Sequence, residues 1–307
     1  MEDAVSDRPG ELLPGGRPLR FSEIESALNA SRDAGGGRGV TATVVAVGPA
    51  ARLAPAASAF AEIADATGIR AILISNGTDA EPQVHIASYA VAIEGLLPRY
   101  LNNAVAAVRL PSLPMLVWWR GGAPGALDGV AELADRLVLD TEDPVRVWVR
   151  AASLAEQTAL SDLRWTALTR WRTVLAHFFD ITEVRAATSA FDTLQIEAGD
   201  MHGARLLAGW LASSLRWDRR VTIDLRDVDG GAMQLVRLSG GGTELTLRLV
   251  AEGKCIEASA SCRGCSSATQ IVPLGDQSLA GLLAEELRVR SRDVAFERAL
   301  RAMEDVA

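Results

Sequence analysis

The sequence predicts an α/β protein in two parts: an amino-terminal layered α/β domain with a central buried strand, then a helical connector and a carboxyl-terminal α+β domain with antiparallel strands. Three observations predict it. Short apolar runs alternate with helical stretches through the first half of the chain, which is the rhythm of a sheet covered by helices. One of those runs, Met115 to Trp119, is apolar on both of its faces, as a strand covered on both sides must be. Beyond about residue 190 the apolar residues instead recur at every second position around a glycine hairpin signal. The 307 residues, at roughly 150 per domain, fit two domains.

Residues 1–20 carry Gly, Pro and charge without periodicity and read as a mobile arm. The amino-terminal domain with its connector then occupies 21–185 and the carboxyl-terminal domain 190–307, the boundary falling between about 182 and 192. A first helix starts at Ser22, whose hydroxyl caps while Glu25 completes a capping box. The run GGGRG at 35–39 breaks the chain before the strand VTATVVAVG. An alanine-rich helix covers about 55–66 and is stopped by Gly68, and IRAILIS at 69–75 is a short buried strand. Val84 to Ile93 reads as another strand, and Pro98 to Val108 as a helix. Met115 to Trp119 is the central strand, Pro111 and Pro114 keeping the preceding segment out of a helix. The turn Gly121, Gly122, Pro124, Gly125 ends it. A helix at 127–134 leads to a last strand, Arg136 to Leu139, and from Pro144 to about Val184 the reading is helical.

Phe191 to Glu197 opens a different pattern. The helix 203–215 carries one apolar stripe of Leu206, Leu207, Trp210, Leu211 and Leu215. Val221, Ile223 and Leu225, and then Leu245, Leu247 and Leu249, alternate with polar residues, with Gly240–Gly242 as a hairpin turn between them. Two helices close the chain, one with Leu279, Leu282, Leu283 and Leu287 inward, the other capped by Asp293 with Phe296, Leu300 and Met303 inward.

Composition narrows the function. A net charge of -8 and a pI near 5.1 give no general attraction to nucleic acid or to acidic membranes. Lys254 is the single lysine, so lysine chemistry is nearly excluded. No basic start and apolar core mark a signal peptide, and no apolar run is long enough to span a bilayer, so the expected location is the cytoplasm. Cys255, Cys262 and Cys265 are read as free thiols at a hairpin, with a redox-responsive pair as the alternative. A zinc site lacks nearby ligands, since His85, His177 and His202 are far away in sequence. No serine stands in a nucleophile elbow, and the glycine runs lack the order of a dinucleotide fingerprint. His177 reads as a satisfied structural residue and the Glu285–Glu286 pair as a solvated helix face.

The aromatic residues are the richest signal. Trp118, Trp119 and Arg120 sit at the carboxyl end of the central strand, where α/β sheets gather their ligands and loops. Strand alternation sends the two indoles to opposite faces, so one is expected in the core and the other, with Arg120, on a partner surface. Trp165, Trp171 and Arg172 are the second choice for that surface, and core packing is the bland reading of all of them.

Four blocks in order, LPSLPMLVWWRGGAPG, ELADRLVLDTED, LRWTALTRWRTVLAHFFD and LLAGWLASSLRW, cover about 110–217 and resemble the OpcA-type glucose-6-phosphate dehydrogenase assembly proteins of cyanobacteria and actinobacteria. The closing IVPLGDQSLAGLLAEELRVRSRDVAFERALRAM looks like the carboxyl-terminal end of that family. The resemblance implies an α/β domain followed by a separate carboxyl-terminal domain. It further implies a protein that is not an enzyme and that binds and activates the NADP-dependent dehydrogenase at the start of the oxidative pentose phosphate pathway; the residues themselves give no expectation of a cofactor or metal. The alternative is a sugar-phosphate- or nucleotide-binding enzyme or sensor that uses the loop after 115–119, around Arg120 to Gly125.

Overall fold

The computed structural model describes residues 12–13, 17–19, 23, 26, 39–79, 82–87, 89–123, 125–217, 221–262, 268–289 and 291–303. The expected helix start at Ser22 and most of the GGGRG run lie outside these residues, as do Pro124 and Cys265. The chain divides into two compact units, 1–161 with 278–292, and 162–277 with 293–307.

The first unit is built on an eight-stranded sheet. Its strands are β1 (Arg17–Leu19), β2 (Ala42–Gly48), β3 (Ile69–Asp79), β4 (Gln83–Ile86), β5 (Ala90–Leu96), β6 (Met115–Trp119), β7 (Arg136–Leu139) and β8 (Ala159–Asp162), in the spatial order β1-β4-β5-β3-β2-β6-β7-β8. The five strands from β5 to β7 are mutually parallel, and β4 and β1 extend one edge antiparallel. Between the strands lie α1 (Ala50–Thr67), α2 (Leu101–Val108), α3 (Ala126–Leu133) and α4 (Pro144–Ala152). All five residues of β6 are buried, as expected of a strand whose neighbours pair with it on both edges and whose two faces are both apolar.

Several elements differ from the sequence reading, each for a local reason. The strand expected over 84–93 is a hairpin, because Ala87 and Ala90 close a turn through Ala87 N–H to Ala90 O at 2.9 Å. Within the stretch expected to be a mobile arm, Leu13 is fully buried, the Leu12 N–H donates to Glu94 Oε1 at 2.7 Å, and Arg17–Leu19 pairs with β4. Arg136–Leu139 is not the last strand: β8 interrupts the helical run expected over 144–184. Its four residues are all buried, and the polar pair Ser161 and Asp162 falls one on each face, so period-two alternation could not reveal it.

The second unit takes α5 (Leu163–Ala167), α6 (Thr169–Phe178) and α7 (Thr182–Ala186), the connector that the sequence reading attached to the amino-terminal domain. A six-stranded sheet follows, formed by β9 (Thr193–Ala198), β10 (Thr222–Asp227), β11 (Met233–Gly240), β12 (Thr243–Val250), β13 (Cys255–Ser261) and β14 (Ala268–Pro273) in the order β10-β9-β11-β12-β13-β14. It is antiparallel except for β9 and β10, which run parallel because α8 (Met201–Leu215) makes the crossover between them. One face carries the core residues Leu194, Ile196, Val236, Leu238, Leu245 and Leu247, all fully buried.

The chain closes with α9 (Leu279–Glu286) and α10 (Val294–Met303). Helix α10 belongs to the second unit and starts where the Phe296 N–H donates to Asp293 Oδ1 at 2.9 Å. It crosses α8 at Gly209, where a Cβ would lie 2.6 Å from the Ala299 carbonyl. Helix α9 returns to the first unit and packs on α1. It brings Glu286, expected on a solvated face, into a buried pair with Arg136: Arg136 Nε and Nη2 both lie 2.8 Å from Glu286 Oε2, and the Ser161 hydroxyl donates to Oε1 at 2.7 Å. Replacing one member of such a pair strands a buried charge. Glu286→Ala is therefore expected to lower unfolding stability by roughly 3–5 kcal/mol, measured by urea denaturation beside Glu285→Ala at its half-buried neighbour.

Candidate functional site

In the first unit the chain runs outward from β2 to β3 and β5 on one side, then crosses back to β6, β7 and β8 on the other. The carboxyl ends of β2 and β6, parallel neighbours, form the point where the winding reverses, the place where open α/β sheets have their ligand crevice. Gly48 and Pro49 lead from β2 directly into α1, which has no side-chain cap and no acidic residue in its first turn. Arg120 follows β6, its N–H donating to Val47 O at 2.7 Å. Asp140 follows β7, its N–H donating to Trp119 O at 2.9 Å.

These residues form one charged cluster. The Arg120 guanidinium lies 4.5 Å from the ring centre of Trp118, and its Nε is 3.0 Å from Asp140 Oδ2. Arg52, in the first turn of α1, donates from Nη2 to the Asp140 carbonyl at 2.8 Å and to Oδ1 at 3.3 Å, and from Nη1 to Glu142 at 2.8 Å. Asp140 thus joins two guanidinium groups and holds them together against their repulsion. Burial draws the Arg120 pKa below the usual arginine value, Asp140 opposes this and Arg52 adds to it; the group stays charged at any ordinary pH. Arg120 is only 7% exposed, and its Nη1 has no hydrogen-bond partner among the described residues. Beyond it the backbone passes through Gly121 (φ 130°) and Gly122 (φ 155°), and a Cβ on Gly122 would lie 2.9 Å from Asn76 Nδ2 and 3.0 Å from the Trp119 ring.

The crevice thus combines the start of an 18-residue helix, two arginines and an amide. Asp140 and Glu142 balance the two arginines, so what favours an anionic group such as a phosphate there is the helix dipole and the Arg120 nitrogens that make no hydrogen bond. The turn Gly48-Pro49-Ala50 is not a glycine fingerprint: a Cβ on Gly48 would lie 3.1 Å from Arg120 Cβ, so Arg120 crowds the turn.

The structure brings Trp118, Trp119 and Arg120 together and separates them from Trp165, Trp171 and Arg172, which belong to the second unit. The expectation of one outward-facing indole is corrected. Trp118 is fully buried with the Phe60 ring 6.0 Å from it edge-on, and Trp119 is 1% exposed. Trp165 and Trp171 are buried as well, Trp165 donating from Nε1 to Asp293 Oδ2 at 2.7 Å with Arg172 stacked 3.6 Å from its ring centre. All four indoles are framework. His177 is exposed. Cys262 is disulfide-bonded and Cys255 is free, which corrects the reading of three free thiols. Among the described residues no cluster of three or more His, Cys, Asp or Glu could hold a metal, and no helix is long and apolar enough to cross a membrane. Sequence reasoning missed Arg52, Asn76, Asp140 and Glu142; the acidic run Asp140-Thr-Glu-Asp directly after an apolar strand was the available signal.

Comparison with known proteins bears on both units. Residues 158–300, from β8 into α10, match a family described as the C-terminal domain of the glucose-6-phosphate dehydrogenase subunit. The chain is 26% identical over 248 residues to the "Putative OxPP cycle protein OpcA" of Synechococcus elongatus, a match covering 65% of this chain and 55% of that protein. It therefore spans little more than half the length of that relative. Among solved structures, an aldose-aldose oxidoreductase from Caulobacter crescentus is similar at 13% identity and TM-score 0.47, covering 87% of this chain and 95% of that one. A levoglucosan dehydrogenase bound to NADH and L-sorbose is similar at 7% identity and TM-score 0.46, covering 86% and 88%. The expectation that the chain is not an enzyme is corrected by these neighbours, which are oxidoreductases; a likeness this distant concerns the course of the fold and assigns no reaction.

Removing Asp140 leaves Arg120 buried without its counter-charge. Asp140→Ala is expected to cost roughly 2–4 kcal/mol of stability. Glu142→Ala, at an 84% exposed side chain, is expected to stay within about 0.5 kcal/mol. Equilibrium unfolding of both variants checks the contrast.

Proposed function

We propose that this chain binds a sugar phosphate or nucleotide at the β2/β6 crevice and works with glucose-6-phosphate dehydrogenase, docking on it and shifting it toward its active form. The observation that carries the ligand part is the reversal of winding at β2 and β6, where the uncapped start of α1 meets the buried, incompletely hydrogen-bonded guanidinium of Arg120. Of the two parts this is the one that the geometry favours.

The partner part rests on the match of residues 158–300 to a family described by that dehydrogenase. The oxidative pentose phosphate assignment of the cyanobacterial relative supports it. A bound protein raises the activity of its partner only by binding the active form more tightly than the inactive one. With the indoles of Trp118, Trp119, Trp165 and Trp171 buried, the docking surface uses residues other than these four.

The two parts are tested on the same purified chain. Isothermal titration with glucose 6-phosphate, NADP and inorganic phosphate is expected to show saturable binding of at least one, weakened at least about tenfold in Arg120→Ala, the loss of a charged hydrogen-bonding group in a desolvated site. Absence of binding by all three contradicts the ligand reading. Mixing with the cognate dehydrogenase is expected to give co-elution on size exclusion and a faster initial rate of NADPH formation than the dehydrogenase alone; separate elution with an unchanged rate contradicts the partner reading.

A further inference from the structure

The second unit holds a cleft of its own, of about 420 Å³, within the size range of small-molecule sites. Leu168, Trp171, Met233 and Leu274, each at most 7% exposed, contribute its apolar floor, with Leu249 beside them. Its polar lining comes from Arg164, Asp200, Gln234, Glu252 and Gln277, set on five separate segments of the chain. Nothing in the fold of the six-stranded sheet requires these groups to converge.

Two features narrow the ligand. The charge of Arg164 is already shared, with Nε 3.5 Å from Asp200 Oδ1 and Nη1 3.6 Å from Asp162 Oδ1. With Glu252 added, the lining is negative and disfavours phosphates and carboxylates. What remains is a set of carboxylate acceptors, two amides that both donate and accept, and a guanidinium donor around an aromatic and aliphatic floor. That is the complement of a neutral molecule with several hydroxyl groups, each of which both donates and accepts.

The second feature is the β12–β13 turn that carries Glu252 to the mouth. Ala251 (φ 53°) and Glu252 (φ 56°) are both left-handed and are followed by Gly253 (φ 84°). Glycine or asparagine would adopt that backbone at far lower cost. Residues kept in such conformations cluster where a ligand is clamped. A glutamate at this position is explained by its carboxylate, since the turn itself selects against it.

We propose that this cleft binds a neutral polyhydroxylated molecule of monosaccharide size, a free aldose or polyol, with Glu252 and Gln234 as hydrogen-bonding residues at its mouth and Trp171 in its floor. The test is saturation-transfer NMR on the full chain with D-glucose and with sorbitol, using glucose 6-phosphate as the charged control, and a melting curve for each variant. One or both neutral probes are expected to give transfer signals, with glucose 6-phosphate at least about tenfold weaker at this site than the unphosphorylated sugar because it must enter a negative lining. Arg120→Ala, in the other unit, serves as background for these titrations so that binding at the β2/β6 crevice does not contribute. Glu252→Gly is expected to raise the melting temperature by about 2 °C by relieving the turn while losing the sugar signal. Gln234→Ala is expected to lose the signal with an unchanged melting temperature. No signal from either neutral probe, a Glu252→Gly variant that melts higher and binds as before, or tighter binding of glucose 6-phosphate than of glucose would each overturn the proposal.

Discussion

The first unit depends on burying β6 from both sides. A five-residue apolar strand at the middle of a parallel sheet has no face left for solvent, and whatever follows it starts from inside the protein. Arg120 is that next residue. Its charge cannot be left alone there, and the structure answers with the Trp118 ring beneath it, Asp140 from the neighbouring strand end, and Arg52 from α1 fixing Asp140 in turn. Removing a charge from water costs several kcal/mol unless it is paired and hydrogen-bonded. The cluster at the sheet edge is therefore a consequence of the strand as well as a candidate site, and these two roles are compatible. Two of the Arg120 nitrogens, Nε and Nη1, make no hydrogen bond among the described residues, Nε meeting Asp140 only as an ion pair, and this leaves the guanidinium capacity for a ligand.

The same logic, applied to Arg136, gives a structural pair instead. Glu286 reaches it from a helix 150 residues further along the chain, and Ser161 takes the second carboxylate oxygen. There the acid satisfies the base from a packed helix, with the pair enclosed in the sheet and α9. At Arg120 the counter-charge comes from loops at the strand ends, next to an uncapped helix start. Both arginines are buried to a similar degree; the difference is that each Arg136 nitrogen has a partner while Arg120 Nε and Nη1 make no hydrogen bond among the described residues.

Much of this was legible in the sequence. The central strand shows as an apolar run with two apolar faces, the α/β rhythm as alternating patterns, and the second sheet as period-two strands around Gly240–Gly242. The place of Arg120 at a strand's carboxyl end was legible for the same reason. What stayed hidden is long-range. Alternation separates Trp118 from Trp119 but cannot say whether the second face is covered; Phe60, from a helix nearly sixty residues earlier, covers Trp118. The partners Arg52 and Asp140 come from other elements, and ordinary charged residues at helix and strand ends carry no mark of convergence. Strand β8 is four buried residues with one polar residue on each face, so it shows no alternation, and Glu286 sits on a helix whose pattern suggests solvent. The second-unit cleft is assembled from five segments, and its clearest local sign, a glutamate in a left-handed turn, is a property of backbone dihedrals.

We propose the β2/β6 crevice as the place where this chain takes a phosphorylated ligand. Hydrogen–deuterium exchange on the full chain, with and without saturating glucose 6-phosphate or NADP, tests it at the level of segments. Slowed exchange is expected in the peptides spanning Gly48–Leu53 and Arg120–Gly122, with the 228–234 and 251–254 turns of the second unit unchanged. Protection confined to those second-unit turns, or no protection anywhere in the first unit, would contradict it.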